Sequence, residues 1–324
     1  MKSALILCAA LIGTVPLPVH AQSIDIGAPP GRLVDVGGRT LHALCSGAGA
    51  PTVVLEAGAS AFAIDWSLVQ PGIARSNRVC SYDRAGYGWS EPGGPETADR
   101  VVADLHAMLQ AAGEKPPFVL VGASRGGLFV RLYAARYPDD VSGMVLVDPS
   151  HEDRLFTMFN GQGVTIASLS AEQLRSTMRP GPVRIPARSP QTGAPFDRLP
   201  PDLYARRIAL DRRLIAATPS SISYEANAEG AEAERAALAR LHEISVTQDR
   251  PLGDRPLVVL TRGVDSSQEQ KDVHASLGRL TTNFRHSVVA GAGHEIHLFQ
   301  PIAVIQAIQD AIAAAKGKTR LPAR

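Results

Sequence analysis

Cysteine is scarce in this 324-residue chain, with three in all, and neither sign of charge dominates: 33 Lys and Arg stand against 31 Asp and Glu, a formal net charge of +2. No Lys or Arg run forms a stripe able to follow a phosphate backbone, so nucleic acid is not an expected partner. Neither a metal-ligand cluster nor a phosphate-binding glycine loop is present, so no cofactor and no metal are implied. Beyond the first residues no segment is long and apolar enough to span a bilayer, and no internal repeat is visible. Nothing in the sequence specifies an oligomeric state.

What is present begins with a leader. Lys2 supplies a positive end, residues 4–15 an apolar stretch, and Val19-His20-Ala21 a small-residue cleavage site. The stretch is shorter than the ~20 apolar residues a spanning helix needs. Residues 1–21 are therefore expected to be a signal peptide, cleaved near Ala21 to leave a secreted or periplasmic protein beginning near Gln22. Cys8 lies inside the apolar stretch without a lipobox, so no lipid anchor is expected there. Cleavage leaves Cys45 and Cys80, an even count that permits a disulfide in an oxidising compartment.

Apolar residues make up 45% of the chain, enough for one sizeable core plus an insertion. Nearly continuous apolar runs at 40–44, 52–55, 78–82, 118–121, 141–147 and 257–261 read as strands, most of them buried on both faces. Helical patterns separate several of them: Val101, Leu105, Met108 and Ala112 recur at helical spacing before Pro116-Pro117. A strand near 287–289 and a helix over about 302–315 close the chain. Strand and helix in alternation predict a mostly parallel sheet with helices on both faces. Residues 151–250 break this rhythm. Seven prolines between Pro180 and Pro201 are followed by two amphipathic helices, one presenting Leu203, Leu210, Leu214 and Ala217, the other Ala233, Ala237, Leu241 and Ile244. The stretch shows no strand signal and reads as a cap over the sheet, dividing the sheet domain into 22–150 and 251–324.

The chemistry starts at Gly122-Ala123-Ser124-Arg125-Gly126-Gly127, which falls between the apolar run at 118–121 and the helical 128–137. A Gly-x-Ser-x-Gly turn in that context exposes the serine, and small residues two before and two after it let strand and helix pass closely. Ser124 is the expected nucleophile. The backbone N–H of Arg125, at a helix N-terminus, is a candidate oxyanion donor. His294, in the glycine-rich Ala290-Gly291-Ala292-Gly293-His294 after the last strand signal, is the expected base, and His297 reads as its structural neighbour.

These two motifs, together with Tyr82-Asp83-Arg84-Ala85-Gly86-Tyr87-Gly88-Trp89-Ser90, resemble the α/β-hydrolase superfamily, in its capped branch of esterase-like and peptidase-like serine hydrolases. The resemblance covers roughly residues 32–150 and 251–316. It implies an eight-stranded, mostly parallel sheet, a nucleophile after the fifth strand and a mainly helical cap after the sixth. Asp83, Gly86, Gly88 and Ser90 match a recurrent turn after the fourth strand and read as structural. Where many relatives carry His-Gly after the third strand, this chain has Leu55-Glu56-Ala57-Gly58-Ala59, which leaves Gly58 and Ala59 both open as the second oxyanion donor. Glu56 is expected either to orient backbone or substrate, or to be satisfied by nearby N–H groups or an arginine. The family's second strand runs antiparallel beside its fourth, which implies a Cys45–Cys80 disulfide.

Relatives most often place the triad acid after the seventh strand, where Asp265 stands, and others after the sixth, where Asp148 stands. Asp148 is favoured because it ends a buried strand, and Pro149 stops that strand at the sheet edge where active-site residues gather. Asp265, followed by Ser266 and Ser267, also reads as a solvated loop or cap residue. Ester hydrolysis through an acyl-enzyme is the leading expectation, with a small-molecule ester or amide as partner. A peptidase or amidase is the nearest alternative, and an inactive ligand-binding homologue a more distant one. Epoxide hydrolase or dehalogenase chemistry is disfavoured, since those relatives carry Asp where Ser124 stands.

Overall fold

The computed structural model describes residues 24–157, 163–178 and 180–323. The expected leader, residues 1–21, lies outside the described residues. Eight strands build one sheet: β1 (Arg32–Asp35), β2 (Thr40–Ser46), β3 (Thr52–Glu56), β4 (Val79–Tyr82), β5 (Phe118–Ala123), β6 (Val141–Val147), β7 (Leu257–Arg262) and β8 (Phe284–Val289). Their order is β1-β2-β4-β3-β5-β6-β7-β8. β2 runs antiparallel to β1 and to β4, and every other pairing is parallel. β3 and β5 are buried at every residue, which is why their sequences are continuous apolar runs rather than alternating ones. β1 escapes sequence reading because Val34 is its one buried residue.

Helices cover both faces. On one, α1 (Ala98–Ala111) and α2 (Gly126–Arg136) press Leu105, Met108 and Phe129 against Leu120 and Leu146. On the other, the C-terminal helix Pro301–Gly317 packs Ile308, Ala311 and Ile312 with Trp66 and Ile73 over Val119, Val145 and Val258. Each fully buried side chain of this kind contributes about 1.5–3 kcal/mol.

Between β6 and β7 the chain leaves the sheet. It forms α3 (Pro201–Ala217) and α4 (Tyr224–Thr247), the two helices expected from periodicity. Leu210 and Leu214 of α3 pack on Phe62, Ile64 and Trp89, while Ala237, Leu238 and Leu241 of α4 join the cluster over α1 and α2. The expectation of a strandless excursion is corrected. Two short antiparallel ribbons form, Leu155–Thr157 with Gly163–Thr165 and Val183–Arg184 with Ser221–Ile222. Segments of two or three residues are too short to show alternation, so their pairing is set by tertiary context.

β2 and β4 place Cys45 directly opposite Cys80, with Cα atoms 4.1 Å apart, a placement that supports the expected disulfide. A disulfide closing a 35-residue separation is expected to stabilise the fold by about 2–4 kcal/mol through the unfolded chain. Alkylation of the unfolded, unreduced protein should leave both thiols unlabelled, and the Cys45→Ser, Cys80→Ser double variant should lose stability by that amount in urea. Two alkylated thiols without reductant would end the idea.

Candidate active site

Ser124 sits on the turn that ends β5 and begins α2, with φ of +50°, a left-handed backbone that a side-chain-bearing residue adopts at a cost. The turn is tight enough to exclude side chains on both sides of it. A Cβ at Gly122 would lie 2.5 Å from the Gly126 carbonyl oxygen, and one at Gly126 would lie 2.6 Å from that of Glu56. Backbone bonds then fasten the turn to the neighbouring strand end: Ser124 N–H donates to Val147 (3.0 Å), and Ser150 N–H donates to Ser124 (2.9 Å). The Ser124 hydroxyl is half-buried and stays at the sheet's carboxyl edge.

Two partners meet it there. His294 follows β8 and brings Nε2 within 2.9 Å of Ser124 Oγ, while its Nδ1 lies 2.5 Å from Asp148 Oδ2. Asp148 directly follows β6 with φ of +43° and is 1% exposed. Its Oδ1 accepts from the Arg262 backbone N–H (3.0 Å) and from Gln270 Nε2 (3.1 Å), and its Oδ2 also accepts from Arg262 Nη1 (3.1 Å). Burial alone would raise this carboxyl, but the His294 and Arg262 hydrogen bonds and their charges outweigh it and hold it below the ordinary aspartate range. Of the two candidate acids, Asp148 therefore faces the imidazole. Asp265 is exposed on the loop after β7, and its carbonyl accepts from Arg262 Nη2 (3.4 Å).

The loop after β3 passes beside Ser124, so close that a Cβ on Gly58 would stand 3.3 Å from Ser124 Cβ. Its orientation comes from a buried cation that sequence reading did not single out. Arg84 Nη1 donates to the Ala57 carbonyl and to Glu56 Oε1, each at 2.8 Å, and Nη2 donates to the Gly58 carbonyl at 2.7 Å. In a trans peptide the C=O and N–H point in opposite directions. Turning both carbonyls toward Arg84 turns the N–H groups of Gly58 and Ala59 away from it. Among the described residues, the N–H groups of Gly58, Ala59 and Arg125 have no protein acceptor. Both Gly58 and Ala59 border the cavity at Ser124. Glu56 is fully buried and serves this scaffold, bonded to Arg84 and to the Tyr82 hydroxyl. The Arg125 side chain points elsewhere, to Glu96 (2.5 Å) and to Glu234 of α4 (2.8 Å).

Two cavities open on the Ser124–His294 pair. The larger, about 400 Å³, is lined largely by polar groups, among them Ser150, Arg154, Ser267, Gln270 and His274. The smaller, about 60 Å³, lies against Gly58 and Ala59 and is closed by Gln191, Phe196 and Arg207 from the excursion. Arg207 is fully buried between Asp65 (3.2 Å) and Asp211 (3.4 Å), and burial raises Asp65 to about 6 despite that cation. His297 is a structural neighbour as expected: its ring centroid is 4.7 Å from that of Trp66, and burial lowers it to about 3. Asp83 likewise acts in the scaffold, accepting from Ala63 N–H (2.8 Å) and meeting His42 Nδ1 (2.7 Å).

Similar proteins place this architecture. YqjL of Bacillus subtilis (strain 168), an uncharacterized protein, is 36% identical over 108 residues, which cover 33% of this chain and 43% of that protein. The proline iminopeptidase PfmaB of Pestalotiopsis fici is 28% identical over 153 residues, 44% of this chain and 54% of that one. The chain thus spans about half the length, or less, of these curated relatives. A thermophilic esterase from Thermogutta terrifontis shares the fold at 18% identity, with a TM-score of 0.58 over 86% of this chain and 94% of that one. A family model described as the alpha/beta hydrolase fold matches residues 50–301, more than three quarters of the sequence, and on that match this chain belongs to the α/β-hydrolase fold family.

Proposed function

We propose that the protein is a serine hydrolase that cleaves a small, polar carboxylic ester through an acyl-enzyme on Ser124. The observation that carries this reading is the unbroken relay from Ser124 Oγ to His294 Nε2 and from His294 Nδ1 to Asp148, beside three backbone N–H groups with no acceptor among the described residues. Ser124 Oγ attacks the ester carbonyl while His294 Nε2 takes its proton. The carbonyl oxygen becomes an oxyanion and accepts from Arg125 N–H and from Gly58 or Ala59 N–H. Collapse expels the alcohol, which receives the proton back from His294. A water, deprotonated in turn by His294, then releases the acid and restores Ser124. Asp148 keeps Nδ1 protonated and stabilises the imidazolium.

The excursion, residues 151–250, gives the site its shape and none of these three groups, since Gln191, Phe196 and Arg207 wall the smaller cavity. Hydrogen-bonding groups dominate the larger cavity, so a long alkyl chain would desolvate them without replacing their bonds. That lining supports short acyl groups or hydroxylated ones. The similarity to a proline iminopeptidase keeps an amide substrate as the second reading. Export with cleavage near Ala21 is part of the proposal. The leader's composition and the Cys45–Cys80 juxtaposition support it.

Three outcomes are expected. On a p-nitrophenyl ester, Ser124→Ala and Asp148→Asn should each lower kcat, by roughly 1,000-fold or more for the first and at least about 100-fold for the second, while Asp265→Asn stays within about threefold. Large loss in Asp265→Asn with little in Asp148→Asn reverses the assignment. Across p-nitrophenyl esters of graded length, kcat/KM should peak at acetate to butyrate and exceed aminoacyl p-nitroanilides. A maximum at long acyl chains, or on the anilides, overturns the substrate class. Expressed in a Gram-negative host, the protein should fractionate with the periplasm and begin near Gln22 by intact mass, and recovery from the cytoplasm with residues 1–21 retained would refute export.

A further inference from the structure

The last residue of β7 stands where the catalytic groups meet. Arg262 makes two separate contacts with Asp148, one from its backbone N–H to Oδ1 at 3.0 Å and one from Nη1 to Oδ2 at 3.1 Å. Oδ2 is also the oxygen that receives His294 Nδ1, and Arg262 Nη1 lies 3.3 Å from that Nδ1. In a neutral His294 whose Nδ1–H bonds Asp148, both nitrogens are donors. They cannot bond each other and converge instead on one oxygen. When His294 is protonated at Nε2, a guanidinium and an imidazolium share a single carboxylate at that distance. One carboxylate cannot neutralise two cations.

We propose that Arg262 is a positioning residue that sets the working pH of the site: it disfavours the protonated form of His294, so that the base stays available in more acidic solution. The proposal rests on the Ser124, His294 and Asp148 reading above. Like charges at this separation oppose protonation, and an arginine is never deprotonated to relieve them. The half-buried setting, with the Arg262 side chain 25% exposed and that of His294 40%, screens the repulsion without abolishing it. The same cation also makes the imidazolium a stronger acid toward the departing alcohol.

Other charged and titratable groups border the two cavities, and His297 also feels the charge of His294. Arg154, Asp265, Glu269, His151 and His274 border the larger cavity, and Asp65, Arg207, Glu295 and His297 the smaller. His274 bonds the Pro149 carbonyl (2.8 Å) and Thr261 (2.6 Å), and Arg207 pairs with Asp65. Among the described residues, the imidazole nitrogens of His294 lie within hydrogen-bond range of Ser124, Asp148 and Arg262.

The test is the acid limb of kcat/KM against pH on an activated ester, in the parent, Arg262→Gln and Arg262→Lys. Removing the cation favours the imidazolium, so the limb of Arg262→Gln should move up by about 0.5–1 pH unit, while Arg262→Lys, which keeps the charge, should stay within about 0.3 unit of the parent. The backbone N–H contact to Asp148 survives both substitutions. If activity is too low for a profile, NMR titration of His294 in Ser124→Ala, with and without Arg262→Gln, should show the same upward movement. An unmoved midpoint, or equal movement in Gln and Lys, overturns the proposal. If Ser124→Ala instead keeps full activity, the hydrolase reading itself has failed.

Discussion

Parallel hydrogen-bonded register between β5, β6, β7 and β8 is the constraint from which the site follows. Ala123 pairs with Val147, Val147 with Leu260, and Arg262 with Val289, so four strands finish at nearly the same height. Ser124, Asp148, Arg262 and His294 all come just at or after those ends. A parallel sheet makes this possible because every crossover returns the chain to the same edge, where unpaired backbone groups and helix N-termini gather. Strained backbone is found at two of the same places. Ser124 and Asp148 both take left-handed backbone at their strand ends, and each is tied down by backbone bonds to the adjacent strand. The sheet core, with Val119, Leu120, Val145 and Val258 almost wholly buried, supplies the rigidity that keeps those conformations.

A second layer of order is ionic and lies beneath the Ser124 turn. Glu56, Arg84, Glu96, Arg125 and Glu234 form a chain of close opposite charges running from β3 to helix α4. Buried ion pairs add little net stability, because desolvation consumes much of the attraction, yet breaking one leaves a bare buried charge. Their value here is geometric. Arg84 aims the loop carbonyls, and Arg125 ties the N-terminus of α2 to α4, so the loop beside Ser124 and the excursion share one framework. A comparable pair, Arg131 with Glu152 at 2.6 Å through both nitrogens, fastens α2 to the start of the excursion and holds Glu152 down to about 2, its burial opposed by the arginine.

Local signals explain what the sequence made legible. Ser124 is flanked by glycines that a backbone crossing demands, His294 follows a glycine-rich loop, and the buried strands are continuous apolar runs, so the fold and these two residues were legible, while the acid stayed open between Asp148 and Asp265. Arg84, Arg207 and Asp211 were not. Each is a charged residue in the interior; Glu56, the partner of Arg84, and Asp65, a partner of Arg207, are 28 and 142 residues away, and no short window of sequence contains both ends of either pair. Asp211 lies four residues from Arg207, but nothing local says that the two are buried together. Arg207 and Asp211 even fall among Leu203, Leu210 and Leu214 on the buried face of α3, where periodicity alone predicts apolar packing.

The placement of Asp148, and not Asp265, beside His294 shows how local backbone decides between chemically equal residues. Gly263 and Val264 both donate N–H bonds to the Ala292 carbonyl, at 3.1 and 3.0 Å, which staples the loop after β7 to the loop that carries His294. Gly263 permits the contact, since a Cβ there would lie 2.6 Å from the Val289 carbonyl oxygen. With the chain held that close to β8, Asp265 emerges on the solvent side, and Arg262 takes the inner position beside His294. A carboxylate must then reach the imidazole from the opposite strand end. Asp148 does so from β6, with its own N–H held by Leu260 at 2.7 Å and its side chain shielded from water. A shielded carboxylate with four donors keeps its charge and its direction, whereas an exposed one is free to rotate among waters. The same stapled loop that displaces Asp265 outward therefore brings a cation and the acid together around one imidazole nitrogen.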